Sequence, residues 1–183
     1  MAQRMGGIHL HQGPMFAGKT LKLLHLYDQT RELGLKSLVL SHASDNRYAT
    51  SHVVSHCGKK APCRPVTELR GINISNYHII FIDEAQFMPD LVQFCNHALE
   101  CGKVVHVFGL ANDYLLREFR AMTELNLIAD SKTEMVGVCS RCGEDATTTA
   151  RIAGGAERIE IGSAQYQPRC HKCHTVPETS TNE

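Results

Sequence analysis

The sequence has few aromatic residues, no excess of charge of either sign and no long apolar run. Aromatic residues make up 6% of the 183 positions, and 19 basic residues balance 19 acidic ones. This composition argues against a module that binds nucleic acid through a basic surface and stacked bases, and against an anionic membrane as the chief partner. No apolar run has the length of a signal peptide or a membrane span, so we expect a cytoplasmic protein without a membrane partner.

The length and the apolar content, 43% of 183 residues, predict one main domain with a small appendage. Eight cysteines are present, and four of them form two Cys-x-x-Cys pairs without an export signal. Four thiolates complete a tetrahedral zinc site and leave no open position, which makes such a site structural. The predicted Zn²⁺ ligands are Cys139, Cys142, Cys170 and Cys173, and replacement of one of them by His171 or His174 is the less favoured alternative. The other four cysteines are expected to be reduced and structural.

The segment GPMFAGKT, residues 13–20, has the spacing of a phosphate-binding loop. Alternating residues 7–12 predict a strand before it, and residues 18–34 predict a helix after it. In such a loop the backbone N–H groups surround the phosphates, Lys19 reaches the terminal phosphates and the Thr20 hydroxyl binds Mg²⁺. A glycine turn with a solvated lysine is the alternative, and the flanking strand and helix disfavour it.

The rest of the chain predicts an α/β fold of the P-loop NTPase type, a parallel sheet flanked by helices. Strands are predicted at 36–42, 77–87, 103–110 and 133–138, and a helix at 89–102. Residues 44–65 are polar and interrupted by Gly and Pro, so we expect a partly ordered surface segment. We expect a P-loop core at 1–138, a zinc-binding lasso domain at 139–174 and a disordered tail at 175–183.

Two carboxylates, Asp83 and Glu84, follow the apolar run HIIFI. They lie at the edge of the sheet where ligands of such folds bind, and they point in opposite directions if the strand continues. Asp83 is expected to serve the Mg²⁺ ion, and Glu84 to act as a general base for a hydroxyl nucleophile. Arg47, in the polar segment, is a weaker candidate for binding phosphate charge. The scattered histidines form no pattern typical of a metal site.

Taken in order, GPMFAGKT, DNRY, SH, IDEAQFMPD and CSRC…QYQPRCHKC resemble the zinc-containing type II thymidine kinases. The resemblance extends over residues 7–173 and implies transfer of the ATP γ-phosphoryl group to the 5′-hydroxyl of thymidine. It also implies a homotetramer, with thymidine and ATP as its partners and no nucleic acid. Phosphoryl transfer requires positioning and charge compensation more than covalent chemistry. Lys19, Arg47 and Mg²⁺ would supply the positive charge.

The resemblance implies a role for each matching residue. Glu84, Lys19 and Arg47 are the catalytic set. The ATP–magnesium site takes Gly13, Pro14, Met15, Phe16, Ala17, Gly18, Lys19, Thr20, Asp83 and Gln86. The thymidine pocket takes Met15, Phe87, Leu110, Tyr114, Phe119, Thr149, Ile159, Ile161, Gly162 and Tyr166, the last five of these from a loop that closes over the thymine.

The chain departs from the family pattern around the pocket wall. Ala111 stands where the family commonly has an aspartate, Tyr114 where it has a phenylalanine, and Cys57 where an aspartate follows SH. Glu118 and Arg120 replace a proline and a glycine on either side of Phe119. Two alternatives stay open: a nucleoside kinase of broader deoxynucleoside specificity, and a P-loop NTPase switch with a structural zinc element. A guanine-specific switch would be expected to carry an Asn-Lys-x-Asp motif, and the sequence has none.

Overall fold

The structure is a computed structural model, and it describes residues 6–43, 51–55, 57–154 and 162–174. Three residues predicted for the site, Arg47, Ile159 and Ile161, lie outside the described residues, as does the predicted tail at 175–183.

Twelve strands lie within the described part of the chain. They are β1 (Gly7–Gln12), β2 (Ser37–His42), β3 (His52–Val54), β4 (Lys60–Pro62), β5 (Arg64–Val66), β6 (Ile79–Asp83), β7 (Val104–Gly109), β8 (Ser131–Glu134), β9 (Gly137–Val138), β10 (Asp145–Ala146), β11 (Thr148–Arg151) and β12 (Tyr166–Arg169). The helices are α1 (Lys19–Glu32), α2 (Leu91–Glu100), α3 (Arg120–Ile128) and α4 (His171–His174), with a 3-10 turn at Ala85–Phe87. Within this described part, no helix has the length and apolar character needed to cross a membrane.

Six strands form the central sheet in the order β5-β2-β6-β7-β1-β8, and every neighbouring pair is parallel. The predicted parallel sheet is therefore confirmed. Parallel order places the carboxyl ends of all six strands at one edge. The phosphate-loop sequence follows β1 at this edge, and the carboxylate pair lies at the end of β6, with β7 between the two strands.

Helices cover both faces of the sheet, which explains why its central strands are almost continuously apolar. On one face, Leu23 and Leu24 of α1 are buried with Phe81 and Phe108. On the other face, α2 and α3 pack over Ile8 and the alternate residues of the same strands. The helices packed on both faces support the strands whose carboxyl ends form this edge of the sheet.

Four predictions about elements need correction. The strand predicted at 133–138 is wrong, because β8 ends at Glu134 and Gly137–Val138 pairs with β10 in a separate sheet. The strand predicted at 77–87 is too long, because β6 spans Ile79–Asp83 and Ala85–Phe87 forms a 3-10 turn. The described part of the polar segment at 44–65 contains β3 and β4, which form an antiparallel hairpin, and the start of β5, which joins the central sheet; the sequence pattern did not indicate these strands. The helix predicted at 89–102 spans Leu91–Glu100, since residues 89 and 90 form a turn before it.

Candidate active site

The loop between β1 and α1 requires glycine at two positions for different reasons. A Cβ atom on Gly13 would clash with the Met135 carbonyl oxygen, so only glycine lets the two backbones approach this closely. Gly18 has a φ of 78°, and Phe16, two residues earlier, has a φ of 63°. Glycine adopts this left-handed conformation without steric cost. The left-handed conformations of Phe16 and Gly18 bend the backbone just before α1 begins, as in loops whose successive N–H groups bind an anion.

Lys19 and Thr20, the first residues of α1, reach in two directions from the loop. The Lys19 ammonium is buried and donates hydrogen bonds to the carbonyl oxygens of Gly13 at 3.0 Å and Pro14 at 2.6 Å. The Thr20 hydroxyl donates to Asp83 Oδ2 at 3.1 Å. The phosphate loop and the end of β6 are therefore in direct contact, although 63 positions separate Thr20 from Asp83 in the sequence.

The electrostatic environment of Asp83 is unusual for a carboxylate. Burial, followed by the neighbouring Glu84 charge, raises the pKa of Asp83 to about 7. The Lys19 ammonium and the hydrogen bond from Thr20 act in the opposite direction, since both favour the ionised form. A divalent cation at this position would also favour the ionised form, and oxygen donors such as these suit Mg²⁺.

Glu84 leaves the strand instead of continuing it. Its φ of 52° and ψ of 39° place it in the left-handed region, immediately before the 3-10 turn Ala85–Phe87. The relative directions of the two adjacent carboxylates are therefore set by the left-handed backbone at Glu84 and not by strand alternation. Left-handed backbone at a non-glycine residue is uncommon and is concentrated at functional sites.

Gln86 connects Glu84 to the end of β7. Its side-chain amide nitrogen donates to Glu84 Oε2 at 2.7 Å, and its amide oxygen accepts from the Leu110 N–H at 3.0 Å. The side chain is buried, so these two hydrogen bonds fix its orientation. The structure places Gln86 beside the Glu84 carboxylate; its predicted contribution to nucleotide binding stays a prediction.

Aromatic side chains form one wall next to these polar groups. Phe87 and Phe119 meet edge to face with ring centroids 5.9 Å apart, and Phe119 is buried. His42, at the end of β2, lies against Phe87 with a centroid separation of 5.5 Å. Leu110 packs against the same apolar cluster. An apolar wall beside a few fixed polar groups is typical of a site for a small organic molecule.

The hairpin of β11 and β12 contacts the phosphate loop and the loop after β7. The buried Thr149 hydroxyl accepts a hydrogen bond from the Met15 N–H at 2.9 Å, which joins β11 to the phosphate loop. Tyr166, on β12, is buried and receives a hydrogen bond from Arg151. The Arg151 guanidinium lies 3.9 Å from the ring centroid of Tyr114. Of the residues predicted for one pocket, Met15 contacts Thr149, and Tyr114 and Tyr166 both contact Arg151 of the same strand as Thr149.

Arg151 was not predicted for the site, although the sequence contains a signal for it. Residues of a strand alternate between its two faces, so Arg151 shares a face with Thr149, two positions earlier. A strand assignment for TTAR would have placed both side chains together. Gly162, also predicted for the pocket, lies beside Gln165.

The four predicted metal ligands come together at the base of this hairpin. Their sulfur atoms all lie within 4.8 Å of one another, and the Cys142 and Cys170 sulfurs are 3.6 Å apart. A tetrahedral zinc site with Zn–S bonds of about 2.3 Å requires sulfur separations of about 3.8 Å. The cluster can therefore hold a metal ion. Cys139 is buried, whereas Cys142 is exposed.

Comparisons with known proteins agree on one family. The family model described as thymidine kinase matches residues 6–174. Thymidine kinase a of Arabidopsis thaliana is 38% identical over 176 residues, 91% of this chain and 74% of that protein. The thymidine kinase of Myxoma virus (strain Uriarra) is 35% identical over 95% of this chain and 99% of its own length. That of Mesomycoplasma hyopneumoniae (strain 7448) is 34% identical over 93% and 96%.

Proposed function

The chain belongs to the thymidine kinase family, and from that premise we propose that it transfers the γ-phosphoryl group of ATP to the 5′-hydroxyl of thymidine. The observation that carries the proposal is the contact between Thr20 and Asp83 at the carboxyl edge of the sheet, with Glu84 next in the chain. This contact joins a phosphate loop to a carboxylate pair, as phosphoryl transfer from a magnesium nucleotide requires.

The donor half of the site is built on residues 13–20. Backbone N–H groups of the loop bind the phosphates, and Lys19 exchanges its contacts with Gly13 and Pro14 for contacts with phosphate oxygens. Thr20 and Asp83 are the ligands proposed for Mg²⁺, which when bound neutralises charge on the phosphates. Arg47 is proposed to add positive charge at the transferring phosphate.

Glu84 is the proposed general base of the acceptor half. Its carboxylate takes the proton of the 5′-hydroxyl as the oxygen–phosphorus bond forms, and the bond from the γ-phosphorus to the bridging oxygen of ADP breaks. Gln86 holds Oε2 of this carboxylate at 2.7 Å, so one oxygen is fixed before the substrate binds. Orientation of this kind lowers the entropic cost of reaching the reactive geometry.

The nucleoside is proposed to bind between the aromatic wall and the hairpin of β11 and β12. The proposed apolar contacts are Met15, Phe87, Leu110, Tyr114 and Phe119, with Thr149, Gly162 and Tyr166 from the C-terminal part of the chain. Ile159 and Ile161 are also proposed for the pocket and lie outside the described residues. Enclosure by these groups would exclude water, which otherwise competes as phosphoryl acceptor.

Zn²⁺ is the ion proposed for the four-cysteine cluster. Thiolate ligands and the spacing of their sulfurs fit Zn²⁺, and four protein ligands give the ion a structural role. The ion would fix the ends of the segment that carries β11 and β12, and it takes no part in the reaction. The cytoplasmic location and the homotetramer remain predictions; light scattering of the purified chain measures the latter.

The proposed function is tested by incubating the chain with ATP, Mg²⁺ and one nucleoside at a time. We expect thymidine to yield its 5′-monophosphate, identified by mass, with ADP in equal amount. Comparable efficiency with deoxycytidine or a purine deoxynucleoside would favour the broader nucleoside kinase. Release of inorganic phosphate at the same rate with and without a nucleoside would instead indicate a hydrolytic switch.

A further inference from the structure

Arg151 lies between two tyrosines that come from different parts of the chain. Its guanidinium carbon is 3.9 Å from the ring centroid of Tyr114 and 5.3 Å from that of Tyr166. One guanidinium nitrogen also donates to the Tyr166 hydroxyl oxygen at 2.7 Å. A guanidinium stacked on an aromatic face is attracted by the ring quadrupole, and the hydrogen bond adds direction to the contact.

Tyr166 belongs to the same hairpin as Arg151, because the two residues are paired in the register of β11 and β12. Tyr114 belongs to the loop after β7. The buried Asp113 carboxylate fixes the shape of that loop, since its Oδ1 accepts hydrogen bonds from the backbone N–H groups of Leu115 and Arg117, both at 2.9 Å. Arg151 therefore joins two elements, each with its own internal hydrogen bonds.

Two further hydrogen bonds hold the β11 side of this junction. The Thr148 hydroxyl is hydrogen-bonded to the His174 imidazole at 3.2 Å, which ties β11 to the C-terminal segment. The Thr149 hydroxyl accepts from the Met15 N–H, which ties β11 to the phosphate loop.

We propose that Arg151 is a positioning residue for the nucleoside: by stacking on Tyr114 and bonding Tyr166, it holds the loop at 111–119 and the β11–β12 hairpin at the separation that thymidine requires. The inference rests on the proposed function, which places the nucleoside between these two elements. In this role Arg151 acts on the nucleoside through the two tyrosines and takes no direct part in the phosphoryl transfer. Its removal should therefore affect nucleoside affinity much more than ATP affinity.

The size of the effect follows from the interaction removed. A stacked cation at a partly buried site contributes on the order of 1 kcal/mol or slightly more, which corresponds to about a five- to tenfold change in affinity. Arg151→Met keeps an unbranched aliphatic side chain and removes the charged, planar guanidinium group. We expect it to raise the KM for thymidine about five- to tenfold, with the KM for ATP within about twofold of the parent.

The decisive experiment is a double-mutant cycle with Arg151→Met and Tyr114→Leu in the full-length chain. If the two side chains act as one unit, the KM of the double variant for thymidine should be close to the higher of the two KM values measured for the single variants. Tyr114→Phe keeps the aromatic face and should be less impaired than Tyr114→Leu. The matched control is Arg31→Met, which removes an arginine 5.9 Å from the ring of Tyr27 on α1, and it should leave both KM values unchanged.

Zinc content and melting temperature are measured for every variant to separate positioning from unfolding. The inference would be overturned if the fold-increase in the thymidine KM of the double variant equalled the product of the two single increases. It would also be overturned if Arg151→Met left the thymidine KM unchanged. An equal rise in both KM values would also overturn it, because that result indicates a general loss of structure. A parent chain that does not phosphorylate thymidine contradicts the proposed function instead, before any variant is compared.

Discussion

The side-chain amide of Gln86 donates to Glu84 Oε2 at 2.7 Å while its oxygen accepts from the Leu110 N–H at 3.0 Å. Gln86 thereby ties the carboxylate proposed as the general base to the backbone at the end of β7. The surrounding packing leaves little freedom, because a Cβ atom on Gly109 would lie 2.7 Å from the Gln86 oxygen. The orientation of the proposed base is set by a buried amide and does not depend on bound substrate.

Replacement of Gln86 by leucine should lower kcat about tenfold or more. The variant removes the donor to a charged acceptor, an interaction of about 1.5–3 kcal/mol, and leaves the Leu110 N–H without its acceptor. The KM for ATP tests the separate prediction that Gln86 contributes to nucleotide binding, because the variant leaves the phosphate loop itself unaltered. Steady-state kinetics measure both values. Gln29→Leu, at an exposed glutamine of α1, is the control; unchanged kcat in Gln86→Leu would refute the positioning of Glu84 by Gln86.

Glu84→Gln should bind ATP and thymidine as the parent does, while kcat falls by about 10² or more, because an amide cannot accept the hydroxyl proton. Calorimetric titration of each substrate and single-turnover rates test this expectation. Glu100→Gln, at an exposed glutamate that ends α2, controls for the change of charge. Parent-like turnover in Glu84→Gln would remove Glu84 from the mechanism.

The sequence predicts those parts of the site that depend on local pattern. Lys19, Thr20 and Asp83 follow from a motif and from an apolar strand, and the structure brings the hydroxyl and the carboxylate to 3.1 Å. Pattern does not predict β8, because all four of its residues are exposed and only backbone pairing with β1 defines it.

Side-chain contacts that depend on tertiary structure cannot be predicted from local sequence pattern. The Gln86–Glu84 hydrogen bond requires the left-handed turn at Glu84, which no residue preference indicates. The Arg151–Tyr114 stacking joins two elements that lie far apart in the chain.

Cys170→Ser should release the metal ion, because three thiolates and a hydroxyl bind Zn²⁺ far more weakly than four thiolates. We expect loss of order in the hairpin of β11 and β12, and therefore a higher thymidine KM or unfolding of this end of the chain. Metal analysis of the purified variant and thymidine kinetics test both effects. Cys101→Ser, at an exposed cysteine outside the cluster, should retain one zinc per chain. Full zinc and full activity in Cys170→Ser would contradict the assignment.

His11 and His106 should make the fold sensitive to mild acid. Burial lowers the pKa of His11 to about 4 and that of His106 to about 3, and the rings stack with Phe81 and Phe108 beneath α1. The unfolded chain therefore binds protons at these positions more readily than the folded chain. The contribution of the two neutral imidazoles to the free energy of unfolding should be fully present above about pH 6.5 and should decrease as the pH drops towards 4.

Urea unfolding followed by circular dichroism between pH 7.5 and 5 measures this dependence. His106→Phe should flatten the decline relative to the parent, whereas His25→Phe, at an exposed histidine, should not. Asp83 acts in the opposite direction because its pKa is raised to about 7, but this contribution is shared by parent and variants and cancels. The same slope in His106→Phe and the parent would contradict the prediction.

Phosphoryl transfer to thymidine is followed with the label of [γ-³²P]ATP in the presence of residues 1–183, Mg²⁺ and thymidine. We expect the label to appear in thymidine 5′-monophosphate, in equal amount with ADP, and Glu84→Gln to slow this transfer by about 10² or more. Label that appears only as inorganic phosphate, at a rate independent of thymidine, would contradict the proposed function.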